Sequence, residues 1–311
     1  MPAGLVGDGD RTQHSGMPEL PDVVIYVERL EAMVAGHAPT AVRVHNPFVL
    51  RSVTPPLSAF EHRPILGVRR LGKRIVLQFA EELALVVHLM IAGRLRWRPP
   101  GKRIAGKLAL ASLEFAQGTL YLTEAGTKRR ASLHAVESAQ SLLSFDRGGL
   151  EPLTCTIGEF ATVLRAENHT IKRSLTDPRL LSGIGNAYSD EMLHAARLSP
   201  MVLTSRLEDE EIGRLHGAMQ HTLRHWTDRL RQETGNAFPE TVTAFHDEMA
   251  VHGRFGKPCP VCGAPVQRIR YADNETNYCA RCQTGGRVLA DRALSRLLKG
   301  DFPRTLEELA D

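Results

Sequence analysis

The spacing of four cysteines constrains this chain more than any other feature. Cys259, Cys262, Cys279 and Cys282 form Cys-x2-Cys-x16-Cys-x2-Cys within a Gly- and Pro-rich stretch from Val251 to Arg287. Each Cys-x2-Cys turn aims two sulfurs at one point, and two turns complete a tetrahedron around zinc. A closed four-sulfur site leaves no open position for catalysis. The expected cofactor is therefore one structural Zn2+, folding a small module over residues 251–287. The fifth cysteine, Cys155, stands alone and reads as an ordinary packed thiol.

The rest of the composition narrows the setting. A chain of 311 residues is long enough for more than one core. Its longest apolar run, Leu83 to Ala92, contains His88 and is far too short to cross a bilayer. The N-terminus is polar where a secretory signal would be apolar. No membrane partner is expected, and the expected location is cytoplasmic and nucleoid-associated, where reduced thiols favour metal over disulfide. Between Val251 and Leu289, Arg254, Lys257, Arg268, Arg270, Arg281 and Arg287 face only Asp273 and Glu275, an excess of four that equals the net charge of the whole chain, +4. Such a segment is suited to neutralising phosphates. Without further motifs, arginines scattered on a solvated surface would read the same way.

Residues 1–16 are polar and Gly-rich and read as a disordered or untranslated leader. From Pro18, Val24, Val27, Leu30 and Val34 recur at helical spacing until Gly36. Short apolar runs follow, bounded by Pro and Gly: Ala41–Val44, Ile65–Arg70, Arg74–Phe79, Ala84–Leu89, Lys107–Phe115 and Thr119–Leu122. Strands of this length and spacing predict a sandwich or barrel over residues 17–148. Gly148-Gly149 and Pro152 mark a linker. Residues 152–250 then read as helical, with helices over Ile157–Ala166, Thr170–Leu175, Asn186–Leu193 and Asp209 to about Gln232. In the tail, 288–311, Leu289, Leu294, Leu297 and Leu298 predict a terminal helix.

At four places the residues resemble the formamidopyrimidine-DNA glycosylase and endonuclease VIII family, as a divergent branch. Pro18-Glu19-Leu20-Pro21-Asp22 is similar to the family's N-terminus, and His88-Leu89-Met90-Ile91-Ala92-Gly93-Arg94 to an internal motif. Ile171-Lys172 through Gly183-Ile184-Gly185-Asn186 to Glu191 resembles its helix–two-turn–helix element. The segment from Val251-His252-Gly253-Arg254 to Gln283 resembles its zinc finger. Each motif alone is weak; four in the family's order are specific. The resemblance implies an α+β multidomain fold: an N-terminal β-sandwich with a leading helix, a helical domain with the helix–two-turn–helix, and a C-terminal zinc-finger β-hairpin. It also implies damaged double-stranded DNA as partner, a monomer, and a bifunctional glycosylase and abasic-site lyase.

The implied roles fall on particular residues. Pro18 occupies the position of the family's N-terminal proline nucleophile, and Glu19 that of its acid/base. An α-amino group titrates at roughly 7.7–8.0, so part of it is a free nucleophile at neutral pH. Taken by itself, Pro18-Glu19 reads as a helix start. An acylated Pro18 cannot attack, so translation is expected to begin at Met17, or the leader to be removed, with the methionine then trimmed. Lys73 matches a lysine that meets the DNA backbone beside the lesion. Asn186 opens a helix whose free N–H groups suit a phosphate, and it reads equally as a helix cap. His88 aligns with a family histidine and reads first as a structural one.

Several positions depart from the pattern. The family fills the gap left by the flipped base with a methionine, an arginine and a phenylalanine. Here Ile91 stands at the methionine position beside Met90, Arg129 and Arg130 fall in the arginine loop after Lys128, and Ala131 stands where the aromatic wedge is expected. Asn274 replaces the finger's phosphate-gripping arginine, for which Arg268, Arg270 and Arg281 are candidate substitutes. These departures keep a second reading open: a non-catalytic protein that binds abasic sites or single strands. A zinc-ribbon transcription or RNA factor would explain the cysteines but not the N-terminal motif.

Overall fold

The computed structural model describes residues 16–104, 106–125, 129–240, 242–271, 274–289 and 304–308. The leader, apart from Gly16, lies outside them. Helix α1, Leu20–Val34, opens where the Asp22 carboxylate accepts the Glu19 backbone N–H at 2.8 Å, and it stops before Gly36, whose φ is +78°. Its two faces enter two different cores. Val23, Tyr26, Leu30 and Val34 pack into the first, while Leu20 belongs to the second with Val24 against it. One amphipathic element thus forms a wall shared by both lobes.

The first lobe is two four-stranded antiparallel sheets. In order, one is β1 (Ala41–Val44), β6 (Ala109–Phe115), β7 (Gly118–Glu124) and β5 (Gly93–Arg98). The other is β2 (Ile65–Leu71), β3 (Arg74–Phe79), β4 (Ala84–His88) and β8 (Ser132–Val136). Alternate residues of both, among them Ile75, Leu77, Leu85, Val87, Leu95, Leu113, Leu120 and Leu133, fill the space between. The expected strands are present with ends shifted by at most two residues. Two strands were not legible as apolar runs. In β5, Arg94, Arg96 and Arg98 alternate with Gly93, Leu95 and Trp97, and in β8 His134 interrupts the run. Short α2, Ala139–Leu143, covers the outer face of the second sheet, where Val76, Val86 and Val136 pack with Leu142.

The second lobe packs α3 (Ile157–Ala166), α4 (Ile171–Thr176), α5 (Asn186–Ala195) and α6 (Asp209–Thr234) around Phe160, Tyr188, Met192, Leu223 and Trp226. Thr156 and Glu159 close a reciprocal capping box at α3. Helix α5 is buried on nearly every side, and Asp190, Glu191 and His194 are buried with it. Buried acids require partners, and these come from Lys172 on α4, from residues 250–252 and from Asn277 of the last unit. That unit is a hairpin of β9 (Val266–Tyr271) and β10 (Asn274–Cys279), followed by α7 (Ala280–Thr284). The tail returns to it: Val288 N–H donates to the Arg304 carbonyl at 2.8 Å, and Leu306 packs on the hairpin core. Of the expected terminal helix, Leu289 is non-helical, and Leu294, Leu297 and Leu298 lie outside the described residues.

Candidate active site and zinc centre

Pro18 and Glu19 sit buried where the two lobes meet. Glu19 is 3% exposed, and its carboxylate accepts three backbone N–H groups from the start of α5: Gly185 at 2.7 Å, Ala187 at 2.9 Å and Tyr188 at 3.3 Å. An anion at a helix N-terminus meets unsatisfied donors and the positive end of the dipole, which fixes this carboxylate in place. Three helix-start amides are thus taken by Glu19, and the Asn186 N–H is not among them. The helix-cap reading of Asn186 is corrected: Gly185 takes that position, and the Asn186 side chain donates to the Glu275 carbonyl of the finger at 2.6 Å.

Lys73, in the turn between β2 and β3, reaches the same point. A methyl group on Gly185 would lie 2.2 Å from Lys73 Nζ and 2.5 Å from the Glu19 carboxylate, so only glycine leaves room for this approach. Gly183, at φ +84°, lets the same turn close on the N-terminal segment, and its carbonyl accepts Leu20 N–H at 2.9 Å. Burial lowers the pKa of the Lys73 ammonium, and the carboxylates of Glu19 and Asp22 pull it back up. Asp22 itself is pushed up to about 7 by burial, against the pull of the Glu19 backbone N–H that it accepts and with the Glu19 carboxylate pushing it up. These glycines were read only as punctuation in the sequence; the crowding around them is a property of the assembled lobes.

A cavity of about 240 Å³ opens beside this cluster, lined by Met17, Lys73, Arg74, His88, Arg147 and Gly183, among others. Met17 is joined directly to the Pro18 nitrogen. His88 is directly opposite Arg74 across the β3–β4 pair. Burial, with Arg74 and Lys73 close by, pushes its pKa down to about 4 and keeps the ring neutral.

The gap-filling positions lie apart from this cluster. Met90 adopts a left-handed backbone, φ +54°, which presents Ile91 at 41% exposure. Arg129 donates to the Lys107 carbonyl at 2.8 Å, and the exposed Arg130 gives its backbone N–H to the buried Glu124 carboxylate. Ala131 is buried, and a methyl group on Gly93 would lie 3.0 Å from its Cβ. Its side chain packs into the sandwich and does not project. Lys128 lies outside the described residues.

The four cysteine sulfurs lie within 4.8 Å of one another, with Cys259–Cys282 at 4.0 Å and Cys262–Cys279 at 3.4 Å. A tetrahedron of thiolates about 2.3 Å from zinc has edges of roughly 3.8 Å, so the four residues fit one structural zinc ion. Buried α5 grips this unit. Glu191 accepts Ala250, Val251 and His252 N–H at 2.7–2.9 Å. Asp190 binds Lys172 at 2.5 Å, His252 Nδ1 at 2.8 Å and Asn277 N–H at 3.1 Å. Sequence reasoning missed both acids as positioning residues, although two adjacent carboxylates inside an apolar helix were the available signal. Asn274 pairs with Tyr271 at the end of the hairpin. Of its candidate substitutes, Arg268 stacks over Phe255 at 4.0 Å and faces Glu275 at 3.6 Å, and Arg281 donates to the Cys262 carbonyl. Arg270 is exposed and directly opposite Glu275 in the hairpin.

The sequence matches the formamidopyrimidine-DNA glycosylase N-terminal domain over residues 17–130, the formamidopyrimidine-DNA glycosylase H2TH domain over 149–233, and the zinc finger found in FPG and IleRS over 256–285. It is 31% identical over 269 residues to a formamidopyrimidine-DNA glycosylase of Moorella thermoacetica, covering 82% of this chain and 95% of that protein. Identity is 40% over 151 residues to an uncharacterized formamidopyrimidine-DNA glycosylase-like protein of Mycobacterium tuberculosis, covering 49% of this chain and 94% of that one. Among solved structures, the wild-type Lactococcus lactis Fpg (MutM) in complex with a DNA containing N7-benzyl-Fapy-dG superposes with a TM-score of 0.75 at 25% identity, covering 86% of this chain and 100% of the other. With three matched domains in order, full-length relatives and a shared fold, the chain belongs to the formamidopyrimidine-DNA glycosylase family.

Proposed function

We propose that the protein excises a damaged base from double-stranded DNA and then cleaves the abasic strand through a Schiff base on Pro18. One observation carries this reading: Glu19 and Lys73 converge on Gly185 beside a cavity that Met17 lines, so releasing the Pro18 nitrogen from Met17 opens an amine onto the same cavity. The DNA bound by the Lactococcus lactis relative supports the choice of partner.

The damaged nucleotide rotates out of the stack. The Pro18 amine gives its lone pair to sugar C1′, and the bond from C1′ to the base breaks, its electrons leaving on the base, which takes up a proton. The Glu19 carboxylate takes the proton of the amine and the ring C1′–O bond opens, leaving an iminium between Pro18 and C1′. Glu19 protonates the released ring oxygen. The iminium acidifies C2′; loss of that proton expels the phosphate from C3′ and cuts the strand. Water then hydrolyses the iminium and frees Pro18. An amide nitrogen has no lone pair for the first step, so the active form begins at Pro18.

The remaining roles are assigned by position. Lys73 meets the lesion-side phosphate, and Met90, Ile91, Arg129 and Arg130 fill the gap left by the flipped base. Asn186 and Asn274 line the duplex from the helical lobe and the finger, with Arg270 supplying the charge that Asn274 lacks. The protein acts as a monomer, with residues 17–148 carrying the chemistry and 152–250 and 251–287 the grip.

The packed side chain of Ala131 favours a second reading, a binder of abasic sites or single strands without catalysis. Borohydride trapping on abasic DNA, with protein starting at Pro18, separates the two. The enzyme gives a covalent adduct that is lost when Pro18 is replaced or acetylated. Tight binding with neither adduct nor strand cleavage overturns the lyase.

A further inference from the structure

The cavity beside Lys73 carries more positive charge than the proposed chemistry uses. Lys73 is matched by the nearby carboxylates of Glu19 and Asp22. Arg74 and Arg147, on the wall by β3 and the segment after α2, have no such match. Among the described residues neither forms an ion pair. Arg74 is half-buried; it donates only to the Phe145 carbonyl, at 3.3 Å, and its guanidinium lies 5.8 Å from the centre of the Phe145 ring. The acid that lines the same cavity, Asp146, turns back to accept Gly148 N–H at 2.8 Å. Burial lowers the pKa of Arg74, and the charge that adds to this is Arg147, of like sign. His88, directly opposite Arg74, is kept neutral by burial with Arg74 and Lys73 close by, and so adds no cation of its own.

Two guanidiniums that line one cavity with an ion pair to neither repel one another, and a recessed one loses hydration as well. A tetrahedral oxyanion between them removes both costs, because each planar fork presents paired donors to phosphate oxygens. We infer that Arg74 and Arg147 form a second phosphate-binding subsite, separate from Lys73, on the outer wall of the cavity. This rests on the proposed function, in which the Pro18 amine that attacks the flipped nucleotide opens onto this cavity. The ligand chemistry is a DNA phosphate; its source is either the diester flanking that nucleotide or the monoester end left by strand cleavage.

The test uses protein beginning at Pro18 and the variants Arg74→Gln, Arg147→Gln and the pair. Binding is measured to three duplexes: undamaged, carrying an uncleavable abasic analogue, and nicked with a terminal phosphate at the gap. Affinity of the double variant is expected to fall at least ten-fold for one lesion duplex, with little change on undamaged DNA. The salt slope should drop by about one for each phosphate that is no longer neutralised. A fall on the intact analogue assigns the diester, and a fall confined to the nicked duplex assigns the monoester. Equal losses on all three, or none, overturn the subsite. Inorganic phosphate is the DNA-independent probe: wild type should bind it at least ten-fold more tightly than the double variant, and equal binding overturns the inference. Wild type that traps on abasic DNA but shows no arginine effect refutes the subsite alone. Wild type that binds phosphate through these arginines but never traps refutes the lyase alone. Arg147 is exposed, so its single variant keeps the test valid if Arg74→Gln disturbs the packing on Phe145.

Discussion

At the scale of single residues, the site depends on how little room there is at Gly185. A methyl group there would collide with both Lys73 Nζ and the Glu19 carboxylate. Gly185→Ala is therefore expected to cut borohydride trapping at least 100-fold while zinc content stays at one per chain, and a variant that traps normally would show that the convergence is not needed. His88 makes a different prediction. Its pKa is held down at about 4 in the folded chain, against about 6.5 when unfolded. Between those values the unfolded state binds more protons, so stability must fall as pH drops from 6.5 to 4. His88→Gln should remove up to about 3 kcal/mol of that loss, read from urea unfolding across the window. The histidine was visible in the sequence. Its neutrality was not, because the burial that imposes it, and the Arg74 and Lys73 that add to it, come only with the assembled turn and strand pairing.

At the scale of elements, α5 is the piece on which the active site and the finger both depend. Its first turn holds Glu19, while Asp190 and Glu191 hold residues 250–252 and Asn277. Glu191→Ala would leave three backbone N–H groups without an acceptor, at about 1–3 kcal/mol for each buried group left unpaired. The expected result is faster proteolysis and amide exchange across residues 250–255, with zinc retained. Lys172→Met takes the lysine from the buried Asp190, leaving it His252 and the Asn277 N–H, and should destabilise the helical lobe by up to about 3–5 kcal/mol, measured by thermal or denaturant unfolding. The apolar period predicted α5 to within two residues, yet the same pattern hid its function, since carboxylates on a helix usually face water.

At the scale of the whole molecule, the zinc unit hangs from α5 and is completed by the returning tail, Leu306 included. Its own apolar core is small: Val251, Ala264 and Val266 with the cysteines, and a second cluster of Ile269, Tyr278 and Ala280. Chelation should therefore unfold residues 251–287 while both larger cores persist. The expected readout is loss of exchange protection confined to that span, together with weaker DNA binding. Collapse of the helical lobe at the same chelator concentration would show that the finger is not a separable unit.

The sequence by itself determined the parts. Four cysteines at metal spacing specify a zinc site, because the ligands are local in the chain and their geometry follows from the turns that carry them. The apolar periods of α1, α3 and α6 and of most strands likewise specify their elements, since burial on one face must repeat with the backbone. Strands β5 and β8 escaped because arginines and a histidine broke the apolar run without breaking the alternation. What only the tertiary structure decided is where separate segments meet. Glu19 is 166 residues from Gly185, and no local pattern records that its carboxylate would take the amides of α5. Nor does any local pattern record that the Asn186 side chain would meet the finger at Glu275, or that Ala131 would pack inward against Gly93. The unmatched pair of Arg74 and Arg147 has the same origin: each is an ordinary surface-forming residue in the chain, and only the assembled cavity brings the two to one lining with an ion pair to neither among the described residues.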